Sequence, residues 1–359
     1  MPMLAEVVDA VVGVDTHRDT HVAELAGPTG AVIACIGVDN DSAGFTRLIG
    51  WIAEHAPGPF VVAAVEGTRS YGIGLTRALT AAGLQVLECE QPARKDRRGR
   101  GKSDAIDAHL AVLFALRQDT TKLPTPRTDG PREALRILLA ARQEMVTTST
   151  GQVNRLRALL LSGDDRDRAA SRAAFTDAAL SSLARRRLPA DADRLQAVRH
   201  GEIRRLALAV REITKALKAN RRELHELVEQ IAPRLTERPG IGPVSAAQVV
   251  VSFSHLGRVR NDAAFAKLAG TSPIPASSGQ TVRHRLNRGG DRALNRAIHT
   301  IAMTRTRCCP TTQAYITRRT AEGKTPKEIR RCLKRYITRE LYRTLTATIT
   351  LTDHPGIAS

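Results

Sequence analysis

The chain has few aromatic residues, few cysteines and no long apolar run, and each shortage excludes a class of protein. Only 3% of its 359 residues are Phe, Trp or Tyr, so aromatic stacking is not expected to dominate ligand recognition. The five cysteines are odd in number and lack Cys-x-x-Cys spacing, which argues against a disulfide framework and against a structural zinc site. No run reaches the roughly 18 to 20 apolar residues of a membrane span, and acids near the N-terminus argue against a signal peptide. We therefore expect a cytoplasmic protein with no membrane partner.

Acidic residues are outnumbered by basic ones, and this imbalance predicts the kind of partner. The chain has 55 Lys and Arg residues against 36 Asp and Glu residues, which gives a formal net charge of +19 at pH 7. Basic residues spread along a chain suit a long phosphate backbone better than one small anion. We therefore expect a nucleic-acid partner. The length favours two or three domains.

The first third of the chain alternates strand and helix signals and predicts an α/β domain at positions 1–125. Strands are predicted at 6–14, 20–26, 31–38, 60–65 and 85–89, and helices at 42–55, at 71–82 and after the fifth strand. The resulting order, β-β-β-α-β-α-β-α, is that of an RNase H-like fold, in which an antiparallel meander leads into parallel strands.

The remainder predicts all-α structure in two further parts, 126–233 and 234–359. The first part has two long amphipathic helices, rich in Ala, Leu and Arg, on either side of a weakly patterned insert. Such helices pair either as an antiparallel hairpin within one chain or as a coiled coil between chains. We favour a coiled coil that dimerises the protein, and the intramolecular bundle stays open.

Four acidic side chains in the first domain form the principal candidate site. Asp15 and Glu66 follow apolar strand-like runs, at the carboxyl end where α/β sheets present ligands, and Asp104 and Asp107 lie three residues apart on one face of a helix. Mg²⁺ prefers carboxylate oxygens, and a pair of such ions about 3.5 to 4 Å apart can drive phosphodiester chemistry. We predict a site for two Mg²⁺ ions, which Mn²⁺ can also fill, with Asp15 as the bridging ligand.

Each of these acids also has an ordinary structural explanation. An Asp after a strand is common in turns, and Glu66 suits a solvated strand end. Asp104 and Asp107 would be favoured at the positive end of a helix dipole. The metal prediction therefore depends on all four acids occurring together and in this order.

A basic segment directly before Asp104 is a candidate clamp for a phosphate backbone. Dense Arg and Lys with two glycines would let a backbone approach closely, although a solvated charge run has the same composition. Its six basic residues are Arg94, Lys95, Arg97, Arg98, Arg100 and Lys102.

The third part contains two further candidate sites. Gly240 and Gly242 form a turn before an apolar helix, which resembles the phosphate-binding turn of a helix-hairpin-helix; a corner that merely packs is the alternative. Ser277 and Ser278 lie on a loop bounded by proline and glycine, where a hydroxyl becomes a nucleophile only if it is activated; an ordinary Ser/Gly-rich turn is the alternative. The arginines that could surround a phosphate there are Arg283, Arg285, Arg288 and Arg292.

These motifs in this order resemble the DEDD-type insertion-sequence transposases, also described as bridge-RNA-guided serine recombinases. The resemblance covers nearly the whole chain. It rests on GVDTHRDTHVA, AVEGTRSYG, KSDAIDAHLA, RPGIGPVSA and LAGTSPIPASSG followed by NRGGDRALNRAIHTIA.

The resemblance implies a bacterial DNA transposase with a RuvC-like domain, a dimerising coiled coil and a C-terminal transposase domain. It implies that Asp15, Glu66, Asp104 and Asp107 bind metal and that Ser278 is the nucleophile, with Ser277 as the alternative in register. It also implies that a noncoding bridge RNA pairs with donor and target DNA, and that two dimers assemble a tetramer.

Two other functions fit the same residues. A RuvC-like nuclease would hydrolyse DNA with water as the nucleophile and would form no covalent link to the protein. A non-catalytic scaffold would bind nucleic acid through its basic segments alone.

Overall fold

The computed structural model describes residues 2–89, 104–127, 129–255, 258–275, 284–285, 287 and 289–348. The strands are β1 (Ala10–Thr16), β2 (Thr20–Ala26), β3 (Val32–Asp39), β4 (Val61–Glu66), β5 (Gln85–Cys89), β6 (Ile274–Pro275) and β7 (His284–Arg285). The helices are α1 (Ser42–His55), α2 (Ile73–Ala81), α3 (Asp104–Leu116), α4 (Pro131–Leu161), α5 (Asp165–Arg172), α6 (Asp177–Arg185), α7 (Arg194–Ile231), α8 (Pro243–Phe253), α9 (Asp262–Leu268), α10 (Arg292–Cys308), α11 (Pro310–Ala321) and α12 (Pro326–Thr348).

The N-terminal region is a mixed α/β sheet with the predicted element order. Among the described residues it has five strands in the order β3-β2-β1-β4-β5. The first three strands pair antiparallel, and β4 pairs parallel with both β1 and β5. This arrangement is consistent with the predicted RNase H-like fold and confirms the order β-β-β-α-β-α-β-α.

The first predicted strand, 6–14, is wrong at both ends. Leu4–Glu6 is a short 3-10 turn with Leu4 buried, because the apolar side chain packs under the sheet and does not extend it. The Asp9 carboxylate accepts a hydrogen bond of 2.9 Å from the Phe60 N–H, just before pairing with β4 begins. Pairing with β2 then continues to Thr16. Asp15 therefore lies inside β1, one residue before its end.

The sheet has a separate apolar core on each face. Val12 and Val14 pack with α1 and α2, whereas Val11 packs with α3, as expected from the alternation of side chains along a strand. The sheet-facing residues of α3 follow helical spacing and are Ala108, Ala111, Val112 and Ala115.

The chain divides into two compact units that are discontinuous in sequence. One comprises Met1–Glu133, Ser252–Asn295 and Arg330–Ser359, and the other comprises Ala134–Val251 and Arg296–Ile329. The predicted domain boundaries at 125/126 and 233/234 stay a prediction. No helix in the described part of the chain has the length and hydrophobicity needed to cross a membrane.

In the second unit the two long predicted helices, α4 and α7, pair as an antiparallel hairpin. Leu156 and Leu160 near the end of α4 share an apolar cluster with residues of α6 and the first half of α7. Further along, the Arg142 guanidinium donates to the Leu217 carbonyl (3.0 Å), and the buried Asn220 amide donates to the Leu138 carbonyl (3.0 Å). These bonds set the register of the hairpin because neither can form if the helices slide by one turn.

Candidate functional site

Asp15 and Glu66 lie side by side at the carboxyl edge of the sheet. The parallel register pairs Val14 with Val65, so the next residue of each strand is an acid. Asp15 shares the face of Val11, and Glu66 shares the face of Val62, which is the face covered by α3. Both acids are buried, at 7% and 8% exposure. Two neighbouring carboxylates on one face repel each other when both are ionised, whereas a cation bound beside them would be attracted to both.

The ends of the two strands that carry these acids are fixed to one another. The Thr16 hydroxyl donates a hydrogen bond of 2.8 Å to the Glu66 carbonyl. Gly67 then turns the chain away with φ of +68°, and a Cβ atom there would lie 2.7 Å from the Thr16 hydroxyl. Only glycine suits both the conformation and the space, so the sequence Glu66-Gly67 fixes the end of β4 against β1.

Helix α3 runs antiparallel to β1 and begins above the two acids. A Cβ atom on Gly13 would lie only 2.1 Å from the Ala108 carbonyl, so the helix backbone rests directly on the strand. At the other end, Leu113 approaches Gly30, in the turn that follows β2. The first turn of α3, which contains Asp107, therefore extends toward the carboxyl edge of the sheet.

The structure places Asp15 and Glu66 side by side, and it places Asp107 in the first turn of α3. It describes the backbone of Asp104, where α3 begins, and not its side chain. Among the described residues no group of three or more His, Cys, Asp or Glu side chains is arranged to hold a metal ion. The four-acid metal site thus stays a prediction.

The residues at this edge nevertheless fit a hard divalent cation. The carboxylates of Asp15, Glu66 and Asp107 are oxygen donors, which Mg²⁺ and Mn²⁺ prefer. Thr68, two residues beyond Glu66, is 1% exposed, and its hydroxyl has no hydrogen-bond partner among the described residues. Buried hydroxyls are normally satisfied by protein, water or a ligand, so a bound water or ligand would satisfy this group.

Two neighbouring side chains modify the electrostatics of the site. The His17 imidazole lies 3.9 Å from the Asp15 carboxylate. Cys89 pairs with Glu66 across the parallel strands β4 and β5. Burial, with smaller contributions from Glu66 and Glu88, raises the pKa of the Cys89 thiol, so this thiol stays protonated at neutral pH.

Sequence reasoning missed a hydrogen-bonded pair beside the acids. Glu24 in β2 is buried, and its carboxylate lies 2.5 Å from Nδ1 of His109 in α3. An isolated acid within the apolar strand THVAELA was the available signal, because alternation places Glu24 on the face opposite Ala23 and Leu25. A single acid within a strand often faces solvent, so this signal alone did not identify a partner.

Most of the predicted phosphate contacts fall outside the described residues. These are Arg94, Lys95, Arg97, Arg98, Arg100 and Lys102 before α3, and Arg283 and Arg288 in the third part. Ser277 and Ser278 also lie outside them. Arg285 in β7 and Arg292 at the start of α10 are described, and both are exposed.

The segment between β6 and β7, which contains Ser277 and Ser278 and is called the serine segment below, begins and ends on a closely packed base. The strands β6 and β7 pair antiparallel, with Ile274 opposite Arg285. Gly290, with φ of +89°, has no room for a side chain because a Cβ atom would lie 2.2 Å from the Leu268 carbonyl. The next residue, Asp291, donates its N–H to that same carbonyl at 2.7 Å.

The Asp291 carboxylate also holds two other parts of this base. One oxygen accepts hydrogen bonds from the N–H groups of Ala293 (2.8 Å) and Leu294 (2.9 Å) and thereby caps α10. The other accepts a bond of 2.6 Å from the Ser252 hydroxyl. The sequence NRGGDRALN therefore builds a rigid base.

Asn295 extends this base to α12. Its amide donates to the Ala269 carbonyl at 2.6 Å and accepts from the Lys334 ammonium at 2.6 Å. Burial lowers the pKa of Lys334. A half-buried cation thus lies at the base of the segment that contains the predicted nucleophile.

The turn of Gly240 and Gly242 packs against α10 on one side. A Cβ atom on Gly240, which has φ of +75°, would lie 2.9 Å from the side chain of Arg305, and the Arg305 guanidinium donates to the Pro239 carbonyl at 2.8 Å. No atom of the described residues lies within 4 Å of a Cβ atom built on Gly242. The Gly240 side of the turn is therefore covered, while Gly242 and the start of α8 stay accessible within this unit.

Two family models match the chain, and both describe transposases. A DEDD transposase model matches residues 12–163, which include all four predicted metal ligands. A model of the transposase IS116/IS110/IS902 family matches residues 232–317, which include the Gly240 turn and the serine segment.

Curated relatives are insertion-element proteins. The chain is 29% identical to the mini-circle putative transposase for IS117 of Streptomyces coelicolor, over 41% of this chain and 37% of that protein. It is 34% identical to an uncharacterized 43.6 kDa protein of insertion element IS110 of the same organism, over 33% of this chain and 29% of that protein. It is 25% identical to an uncharacterized 42 kDa protein of insertion element IS900 of Mycobacterium paratuberculosis, over 87% of this chain and 89% of that protein.

The alignments with the first two relatives thus span well under half of those proteins, whereas the third spans most of both chains. The two family matches follow one another in chain order and enclose both groups of motifs. The chain belongs to the IS116/IS110/IS902 family of insertion-element transposases.

Proposed function

We propose that the chain is a DNA transposase that cleaves and exchanges strands with a serine nucleophile and a Mg²⁺-binding acidic site. The observation that carries this proposal is the pairing of Asp15 with Glu66, both buried on the face where α3 begins. Adjacent carboxylates at the carboxyl edge of an α/β sheet are oxygen ligands at the place where such sheets present their ligands, which supports a metal-binding role.

The acidic site would be completed by Asp104 and Asp107 at the start of α3. Together with Asp15 and Glu66 they supply enough oxygen ligands for a pair of Mg²⁺ ions, or for Mn²⁺ in their place. When bound, such ions polarise the phosphodiester and offset negative charge on the leaving oxygen. The sheet and α3 would hold these carboxylates in place before the substrate arrives.

The serine segment would supply the nucleophile, Ser278 or its neighbour Ser277. Its hydroxyl oxygen forms a bond to the phosphorus of one DNA strand, the bond from phosphorus to the leaving sugar oxygen breaks, and the hydroxyl proton ends on that oxygen. The packed base formed by Gly290, Asp291 and Asn295 supports this role, because a nucleophile must be presented from a rigid base.

The proposed partners are donor DNA, target DNA and a noncoding bridge RNA. The net charge of +19 supports polyanion binding, and the exposed Arg285 and Arg292 follow the serine segment in the chain. The Gly242 side of the turn before α8 would bind phosphate in the manner of a helix-hairpin-helix. The RNA itself is suggested by the family resemblance.

The proposed assembly is a dimer through a coiled coil, with two dimers in the complex that joins both DNAs. Exposed apolar side chains on α7 support a further helix partner, because Leu195 is 64%, Val198 57% and Leu208 43% exposed. The α4 and α7 hairpin would then present this surface to a second copy.

A covalent-adduct assay tests the proposed chemistry. The chain, its RNA and Mg²⁺ are incubated with labelled DNA from the end of the encoding element, and products are separated on a denaturing gel. We expect a labelled protein band that is absent from Ser278→Ala, or from Ser277→Ala if the register differs, and that persists in the neighbouring control Ser272→Ala. An adduct that survives both substitutions contradicts the serine mechanism.

The same gel separates the other functions. Mg²⁺-dependent cleavage without an adduct would identify a nuclease that uses water. Binding without cleavage, unchanged in Asp15→Asn, would identify a scaffold.

A further inference from the structure

We propose that Glu24 and His109 form a positioning pair that holds the first turn of α3, and with it Asp107, over Asp15. This inference rests on the proposed metal site. Neither residue belongs to the four-acid set, and neither is assigned a direct contact with metal or DNA here.

The pair joins the strand next to Asp15 to the helix that carries Asp107. Glu24 lies in β2 directly opposite Gly13 of β1, and Asp15 lies two residues further along β1. Because side chains alternate, Glu24, Gly13 and Asp15 share the face covered by α3. His109 follows Asp107 by two residues, so the bond of 2.5 Å between Nδ1 and the carboxylate lies within one helical turn of the predicted ligand.

The pair acts together with the close contact at Gly13. The Ala108 carbonyl above Gly13 sets how closely α3 approaches the sheet, but this contact and the apolar packing further along the helix do not by themselves fix the rotation of its first turn. The bond from the next residue, His109, to a different strand fixes that rotation. Ala108 thus contacts β1 and His109 contacts β2, and together these contacts define the distance of the first turn of α3 from the sheet and its rotation about the helix axis.

The chemistry of the pair favours positioning over simple stability. The Glu24 side chain is 7% exposed and that of His109 is 29% exposed. A largely buried polar pair is weak evidence for stability, since an apolar pair of similar volume often stabilises as much. The pair instead fixes the orientation of the helix, because a hydrogen bond to a carboxylate has a preferred direction, whereas apolar contacts allow the helix to slide.

Substitutions of His109 by Asn and by Gln distinguish a positioning role, which needs the bond to Glu24, from a packing role, which needs only the volume of the side chain. The amide nitrogen of Asn occupies nearly the place of Nδ1 of His, whereas that of Gln corresponds to Nε2. His109→Asn can therefore keep the bond to Glu24, and His109→Gln cannot keep it in the same geometry. His109→Ala removes it, and His55→Ala is the matched control because His55 lies on α1, on the opposite face of the sheet.

The test measures Mn²⁺ binding by electron paramagnetic resonance and amide hydrogen exchange over positions 104–111 in the full-length chain. We expect His109→Ala and His109→Gln to bind Mn²⁺ about 10 to 100 times more weakly and to exchange faster in this segment. We expect His109→Asn to recover most of both properties and His55→Ala to match the unmodified chain.

Unchanged exchange and Mn²⁺ affinity in folded His109→Gln would overturn the positioning role. Equal losses in His109→Asn and His109→Gln would also overturn it, since bulk packing would then explain both. If the unmodified chain and Asp15→Asn bind Mn²⁺ equally, the proposed metal site fails. In that case faster exchange confined to His109→Ala and His109→Gln would still support the placement of α3 by the pair.

Discussion

Gly13→Ala should separate α3 from the sheet and disturb the site that both elements form. Gly13 has ordinary strand geometry, so the effect is steric and does not come from backbone conformation. The added Cβ atom would lie 2.1 Å from the Ala108 carbonyl and 2.8 Å from a methyl group of Val112. Neither neighbour can rotate away, because the first is backbone and the second is packed in the core.

The size of the perturbation follows from these distances. Real Cβ atoms essentially never approach closer than 3.0 Å, so α3 must retreat by about 0.9 Å at this point. Overpacking of this kind costs about 1 to 3 kcal/mol. A misplacement of about 1 Å at a reacting centre can reduce a rate by about 100-fold, so strand cleavage should fall further than stability alone explains.

Gly37→Ala is the matched control, because in the part of the chain that the structure describes no atom lies within 4 Å of the added Cβ atom on this exposed β3 residue. Both variants are compared by urea unfolding and by Mg²⁺-dependent DNA cleavage under conditions where each is folded. We expect Gly37→Ala to behave as the unmodified chain and Gly13→Ala to lose stability and most cleavage. Full stability and full cleavage in Gly13→Ala would refute the close contact between α3 and β1.

Three further predictions concern groups away from the site. Arg127→Ala leaves the buried Glu88 carboxylate without its guanidinium partner and should cost about 3 to 5 kcal/mol in urea unfolding, part of which Glu88→Gln should restore. Asn220→Leu removes the amide that bonds Leu138 and should cost about 1 to 3 kcal/mol; an unchanged unfolding midpoint would contradict its role in the α4–α7 register. Burial lowers the pKa of His21, so the unfolded chain binds the proton first, and stability should fall as pH drops below about 6.5; His21→Phe should show a shallower fall over the same range.

The positions of Asp15 and Glu66 could be predicted because both follow runs of β-branched residues. Such runs identify strands, and the carboxyl ends of neighbouring parallel strands meet at one edge. The start of the first strand could not be predicted, because Leu4 and Val8 are apolar whether they extend a strand or pack beneath it. That choice depends on tertiary contacts.

The pairing of Glu24 with His109 could not be read from the sequence. Its partners are 85 residues apart, and either side chain alone is commonplace on a surface. The same holds for the bond from the Arg132 guanidinium to the Ser254 carbonyl, across 122 residues. Local periodicity defines single elements, whereas contacts of this kind are determined by how the elements pack.

The rigid base of the serine segment could be predicted from the sequence only in part. The paired glycines at Gly289 and Gly290 indicated a turn, and their need for close approach could be anticipated from residue type. The partner, the Leu268 carbonyl, could not be anticipated. The sequence thus indicated a constrained loop, and the structure supplies the contacts that constrain its ends.

Four carboxylates from β1, β4 and α3 are proposed to bind divalent metal. The most direct measurement is an anomalous difference map from a crystal of the full-length chain grown with Mn²⁺. We expect peaks at the carboxyl edge of the sheet, about 2.0 to 2.3 Å from carboxylate oxygens of Asp15, Glu66, Asp104 and Asp107. Saturating Mn²⁺ with no peak at this edge would contradict the claim.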